Sequence, residues 1–152
     1  MQQSLYHDRL LALARFARGH PPLPPSQATH MAEANNPSCG DRVTLRLRID
    51  GGKVVAVHGH IDGCAICAAS TGLLLRHLEA NPPFAANALP VLADEVAAWF
   101  AHNANDSVSL PLPLADLDVF AAVKHSYRNR IFCACLPFVA ASRATRQTCA
   151  VK

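Results

Sequence analysis

Charge is scarce in this chain: only 16% of its 152 residues are Asp, Glu, Lys or Arg, against 51% hydrophobic residues. That balance excludes an intrinsically disordered protein, because there is ample apolar surface to offset the entropy of ordering. The length supports one domain with a real core, so a single domain over residues 1–152 is expected. The net charge of +3 is too small to argue for a nucleic-acid partner. No stretch approaches the roughly 20 apolar residues of a membrane helix, so no membrane association is expected. The start of the chain lacks a basic segment, an apolar block and a small-residue cleavage site, which points to a cytoplasmic protein. Six cysteines are too few for a disulfide scaffold, and in a reducing compartment they read as metal-binding, redox or core thiols. There is no phosphate loop, nucleophile elbow or HExxH motif. Acids are missing altogether from Val119 to Lys152, where Lys124, Arg128, Arg130, Arg143, Arg146 and Lys152 lie. Such a stretch is either a solvated basic face, a docking surface for an acidic partner, or a field that stabilises thiolates.

What is present alternates between helical and extended periodicity. Ser4 to Arg18 predicts a helix, with Ser4 as its cap and Leu5, Leu10, Leu13 and Phe16 at helical spacing. The prolines of Gly19–Pro25 stop it and give a stiff connector, and the stretch to Asn36 reads as loop. Val43, Leu45, Leu47 and Ile49 alternate with Arg42, Thr44, Arg46 and Arg48, the period of a strand with one apolar face. Asp50-Gly51-Gly52 is a hairpin signal, and Lys53 to Ile61 is the returning strand. Helices are expected at Ala65–Leu78, Pro90–Ala101, Ala115–Lys124 and Tyr127 to about Gln147. Pro137 falls inside the last; it either kinks that helix, re-aiming the turn that carries Cys133, or marks a helix that begins only after Leu136.

Three cysteines and an aspartate stand out. Cys39-Gly40-Asp41 opens the first predicted strand, Cys64 lies 25 positions beyond Cys39, and Cys133 a further 69 positions on. Three thiolates and one harder carboxylate suit a thiophilic metal that is held but can be released. Gly40 removes bulk between two of the candidates, and Cys64 sits where a helix begins, a place that favours anionic sulfur. The competing reading is a set of unrelated core thiols with a turn aspartate. Cys64-Ala65-Ile66-Cys67 is also a CxxC at a helix start, the mark of a thiol oxidoreductase, but it follows a hairpin rather than a βαβ unit. Cys67 is then a spare thiol one turn along, with Cys135 in the core and Cys149 in the tail. His58 and His60 share a strand face and read as an ordinary exposed pair rather than a chelate.

The blocks Asn36-Pro37-Ser38-Cys39-Gly40-Asp41, Gly63-Cys64-Ala65-Ile66 with Ala68-Ala69-Ser70, and Arg130-Ile131-Phe132-Cys133-Ala134 resemble the NifU N-terminal/IscU/SufU family of iron–sulfur cluster assembly proteins. The resemblance runs from about Ser4 to Arg143. It implies an α+β fold, a small antiparallel sheet of about three strands packed against several helices, like SufE and IscU. It also implies that Cys39, Asp41, Cys64 and Cys133 hold zinc or a labile [2Fe–2S] cluster, that a cysteine desulfurase is the partner, and that downstream cluster or sulfur acceptors follow. On this reading Cys39, on its loop, is the sulfur acceptor. Phe132 stands where the IscU branch has histidine, and Tyr127-Arg128-Asn129-Arg130 replaces that branch's Leu-Pro-Pro-Val-Lys segment. Those departures, with the long gap holding Pro90 to Leu114, place the likeness closest to the SufU branch. The alternatives are a CxxC thiol oxidoreductase and a metal-free interaction protein.

Overall fold

The computed structural model describes residues 2–101, 117–121, 123 and 128–149. Its centre is an antiparallel sheet with strand order β1-β2-β3-β4, formed by β1 (His30–Asn35), β2 (Arg42–Asp50), β3 (Lys53–Asp62) and β4 (Phe84–Ala85). The alternation read from the sequence places Val43, Leu45 and Leu47 of β2 wholly inside, while Arg42 and Arg48 stay exposed. Gly51 and Gly52 turn the chain between β2 and β3 at φ of 57° and 78°, angles that a side chain resists. Pairing then runs from Asp50↔Lys53 to Arg42↔Asp62, with a bulge at Arg48/Ile49. This register delivers both ends of the hairpin, Asp41 and Gly63, to one edge of the fold.

Among the described residues, four helices complete the α+β fold: α1 (Gln2–Arg18), α2 (Ala65–Ala80), α3 (Ala88–Ala101) and α4 (Ile131–Ala144). Leu73, Leu74 and Leu75 of α2, Leu89 and Val96 of α3, and Leu136 and Phe138 of α4 join the strand residues in one core. Helix α1 lies along α2 and buries Leu13, Ala14 and Ala17.

Several expectations are corrected. The segment before Asn36 is not all loop, because His30–Asn35 pairs with β2 from His30↔Leu47 to Asn35↔Arg42. With the two-residue β4, the small antiparallel sheet has four strands among the described residues. Helix α1 already begins at Gln2, ahead of the expected start at Ser4. Helix α4 does not wait until after Leu136; it starts at Ile131 behind a short 3-10 turn, Arg128–Arg130, and continues across Pro137. In the turn before that proline, the Ser70 hydroxyl of α2 donates to the Ala134 carbonyl and ties the two helices together. Of the helix expected over Ala115–Lys124, Leu117–Phe120 form a 3-10 turn, and residues 115, 116, 122 and 124 lie outside the described residues.

Candidate metal centre

The site forms where the β1–β2 connection meets the starts of α2 and α4. After β1 the chain reverses within a few residues. The Asn36 main chain brackets this turn, its N–H donating to the Asp41 carbonyl at 2.8 Å and its carbonyl accepting from Gly40 N–H at 2.8 Å. Gly40, at φ 81°, takes the left-handed conformation that lets Cys39 and Asp41 converge. The Cys39 side chain is left exposed and Asp41 is buried.

Cys133, in the first turn of α4, has no solvent exposure. Its sulfur lies 3.3 Å from that of Cys39. A disulfide requires about 2.05 Å, so these are two free thiols facing one another. Among the described residues, Cys39, Asp41 and Cys133 form a group whose ligand atoms all lie within 4.8 Å of one another. The structure therefore brings together three of the four sequence candidates. Cys64 caps α2 in extended conformation and stays half-buried outside that close group, yet its thiol and its backbone both reach the Asp41 carboxylate.

The electrostatics follow from this crowding. Burial opposes the Asp41 charge, but hydrogen bonds from Cys64, Cys133 and Cys39 outweigh it and hold the carboxyl below its ordinary range. Burial pushes the Cys133 thiol up; the Asn36 amide opposes that shift, and Asp41 and Cys39 reinforce it. Arg130, on the turn before α4, feels the charge of Cys64 first and then hydrogen-bonds Cys133, both of which raise its own pKa. Of the basic residues near the C-terminus, Arg130 thus acts as the field beside the thiols, while Arg143 donates to the Glu33 carbonyl on β1.

Two observations test whether a metal fits. Asp41 Oδ2 is buried and has no hydrogen-bond partner, a costly state for a carboxylate oxygen unless a cation takes it. The donor set is two sulfurs and one oxygen, with a third sulfur beside the oxygen, the chemistry that zinc and iron–sulfur clusters accept. Gly63 completes the cradle: a Cβ there would lie 2.7 Å from Asp41 Cγ and 2.9 Å from Oδ1. Sequence reasoning missed Gly63, and it missed the buried Asn36 as a partner of Cys133; only their positions flanking the candidate cysteines hinted at either.

Cys67, Cys135, Cys149, His20, His58 and His60 lie outside that close group. Cys67 is fully buried within α2, and burial raises its pKa far above the ordinary thiol value, so the CxxC is not a paired reactive dithiol. Burial raises the half-buried Cys135 thiol to about 11. The Cys149 main chain donates to Thr29 and fastens the C-terminal segment beside β1. His58 and His60 do not act as a pair. His58 is half-buried, with its Nδ1 3.4 Å from His20 Nδ1, and His20 in turn reaches Glu79 at 3.0 Å. Burial, then His20, lowers the His58 pKa, and Arg46 and His60 add to that against a hydrogen bond to the Pro21 backbone. An arginine beside two rings disfavours a further cation there.

Residues 6–134 match the family described as the NifU-like N terminal domain. The zinc-dependent sulfurtransferase SufU of Bacillus subtilis (strain 168) is 26% identical over 110 residues, which span 72% of this chain and 70% of that protein. A putative iron–sulfur cluster assembly scaffold protein for the SUF system from Fervidobacterium islandicum AW-1 has the same fold, with a TM-score of 0.74, 25% identity and coverage of 95% of this chain and 99% of that one. The N-terminal NifU-like protein of Brucella abortus is alike in fold, with a TM-score of 0.72, 23% identity and coverage of 93% and 92%.

Proposed function

The chain belongs to the NifU-like N-terminal domain family, and on that premise we propose that it is a single-domain, cytoplasmic sulfur acceptor of iron–sulfur cluster assembly, loaded by a cysteine desulfurase. The observation that carries this reading is the pairing of an exposed Cys39 with a buried Cys133 and an unpartnered Asp41 oxygen in one group. Cys39, Asp41, Cys64 and Cys133 would hold zinc, which when bound keeps its sulfurs deprotonated at neutral pH.

The chain's own residues divide the work. Cys39 faces solvent and can meet a donor; Cys133 and Asp41 are fixed in the protein. Transfer is a thiol exchange without net redox change. The Cys39 thiolate attacks the outer sulfur of the donor's persulfide. The donor's sulfur–sulfur bond breaks, the donor leaves as a thiolate, and Cys39 keeps the new sulfur–sulfur bond. Arg130, near Cys64 and Cys133, offsets the negative charge gathered there.

The same donor set supports a second reading, a scaffold that builds a [2Fe–2S] cluster, and the likeness to the Fervidobacterium scaffold protein favours it. Metal analysis and absorbance of protein purified with and without oxygen decide between them. Colourless protein with zinc is expected for the acceptor; brown protein with acid-labile sulfide would replace that reading with the scaffold.

Two substitutions probe the site. Gly63→Ala should thrust the Asp41 carboxylate out of place, because its Cβ would meet Asp41 at 2.7 Å. Zinc affinity, read by competition with a chromogenic chelator, is expected to fall about 10–100-fold, the usual cost of disturbing a ligand's support. Cys67→Ser should leave metal stoichiometry unchanged while lowering stability by about 1–2 kcal/mol, since it puts a hydroxyl into the fully buried interior of α2. Loss of metal in Cys67→Ser would make the CxxC the true chelate.

A further inference from the structure

The geometry points to Asn36 as a positioning residue that sets the donor strength of the Cys133 sulfur through an amide N–H···S hydrogen bond. The inference rests on the metal-binding reading above and deepens it. Asn36 is one of only a few buried polar side chains among the described residues. Its Nδ2 lies 3.4 Å from Cys133 Sγ, across 97 positions of sequence. Its Oδ1 accepts the Ser38 main-chain N–H at 3.1 Å. That second bond fixes which end of the amide is which, because only the carbonyl oxygen can accept from an N–H, so the NH2 group must face sulfur.

One side chain therefore links both halves of the site. The Asn36 backbone and Oδ1 shape the turn that carries Cys39 and Asp41, and Nδ2 holds the sulfur that α4 supplies. A donor aimed at a thiolate sulfur lowers the energy of its lone pairs. It weakens the sulfur's electron donation to whatever it binds and orients the lone pair that remains. The Arg130 charge also acts on Cys133, but from a turn at the protein surface, where solvent competes. Asn36 is buried and is held at several points, so its contribution is fixed by the fold.

Cobalt(II) added to the full-length, metal-free protein separates this role from a purely architectural one, because thiolate-to-cobalt absorption reports sulfur donor strength directly. Asn36→Asp keeps an oxygen for Ser38 N–H and keeps both main-chain bonds, but replaces the donor to sulfur with an anionic oxygen. Asn36→Leu removes the donor without adding charge. Both are expected to move the thiolate-to-cobalt bands to longer wavelength or to lose the share contributed by Cys133. Bands unchanged in position and intensity, even with lowered thermal stability, would overturn the inference and leave Asn36 a turn residue. Should Asn36→Leu fail to fold, Asn36→Ala, which also removes the donor without adding charge, decides. A wild-type protein without thiolate-to-cobalt absorption would instead remove the metal-binding reading, and the inference with it.

Discussion

Gly72→Ala should destabilise the fold by about 2–3 kcal/mol, the largest stability loss expected from any single added methyl group here. A Cβ at position 72 would sit 2.1 Å from the carbonyl oxygen of Leu13 and 2.9 Å from its carbonyl carbon. Both are backbone atoms of α1, so no rotamer change relieves the clash, and the two helices must separate. Separation loosens Leu13, Ala14 and Ala17, which α1 buries against α2. Alanine's better helix propensity, about 1 kcal/mol over glycine, offsets only part of the cost. Urea unfolding should show a lower midpoint with an unchanged slope. Gly51→Ala is the contrasting control: nothing lies within 4 Å of its Cβ, and only its φ of 57° penalises the change, by about 1 kcal/mol. If Gly72→Ala matches or exceeds the wild-type midpoint, the close approach of α1 to α2 is wrong.

Gly72 also shows where reading the sequence stops. Periodicity located the β2–β3 hairpin, because its apolar positions face one core and the signal is local. Strand β1 escaped because its inward residues, Ala32 and Ala34, are small and its outward ones include Met31, which is 42% exposed. Its alternation is weak, and its pairing with β2 and with the segment at Gln147–Cys149 is decided by distant chain. A glycine inside a helix can signal close packing, yet nothing near Gly72 in sequence names Leu13 as its neighbour. The candidate site divides in the same way. Cys39, Asp41 and Cys133, which the fold brings together, could be singled out as candidates because they stand in ordered blocks of thiols and a carboxylate. The Asn36 bond to Cys133 and the Gly63 cradle under Asp41 depend on register and on helix placement, so only the folded chain reveals them.

With Cys39 as the proposed acceptor, Cys39→Ser should reduce sulfur acceptance from a cysteine desulfurase to background, a loss of at least about 100-fold, because a serine hydroxyl is not ionised at neutral pH and cannot replace a thiolate nucleophile. The choice of Cys39 rests on access. Cys133 has no exposed surface, and Cys64 is half-buried at the head of α2, whereas Cys39 is exposed on a turn bent at Gly40. A persulfide carried on another protein's loop can approach only a sulfur that faces outward. Phe132, 60% exposed and next to Cys133 in sequence, would offer such a partner an apolar contact. Asp41→Ala provides the counterpart. It removes the oxygen ligand and relieves the buried unpartnered Oδ2 in the metal-free state, so zinc should bind more weakly while the Cys39 nucleophile remains. Radiolabelled cysteine, a desulfurase and non-reducing gels measure both variants. The expected pattern is no label on Cys39→Ser and reduced but measurable label on Asp41→Ala. Wild-type labelling of Cys39→Ser would move the acceptor role to Cys64 or Cys133, and the buried position of Cys133 would then require the start of α4 to open before sulfur could reach it.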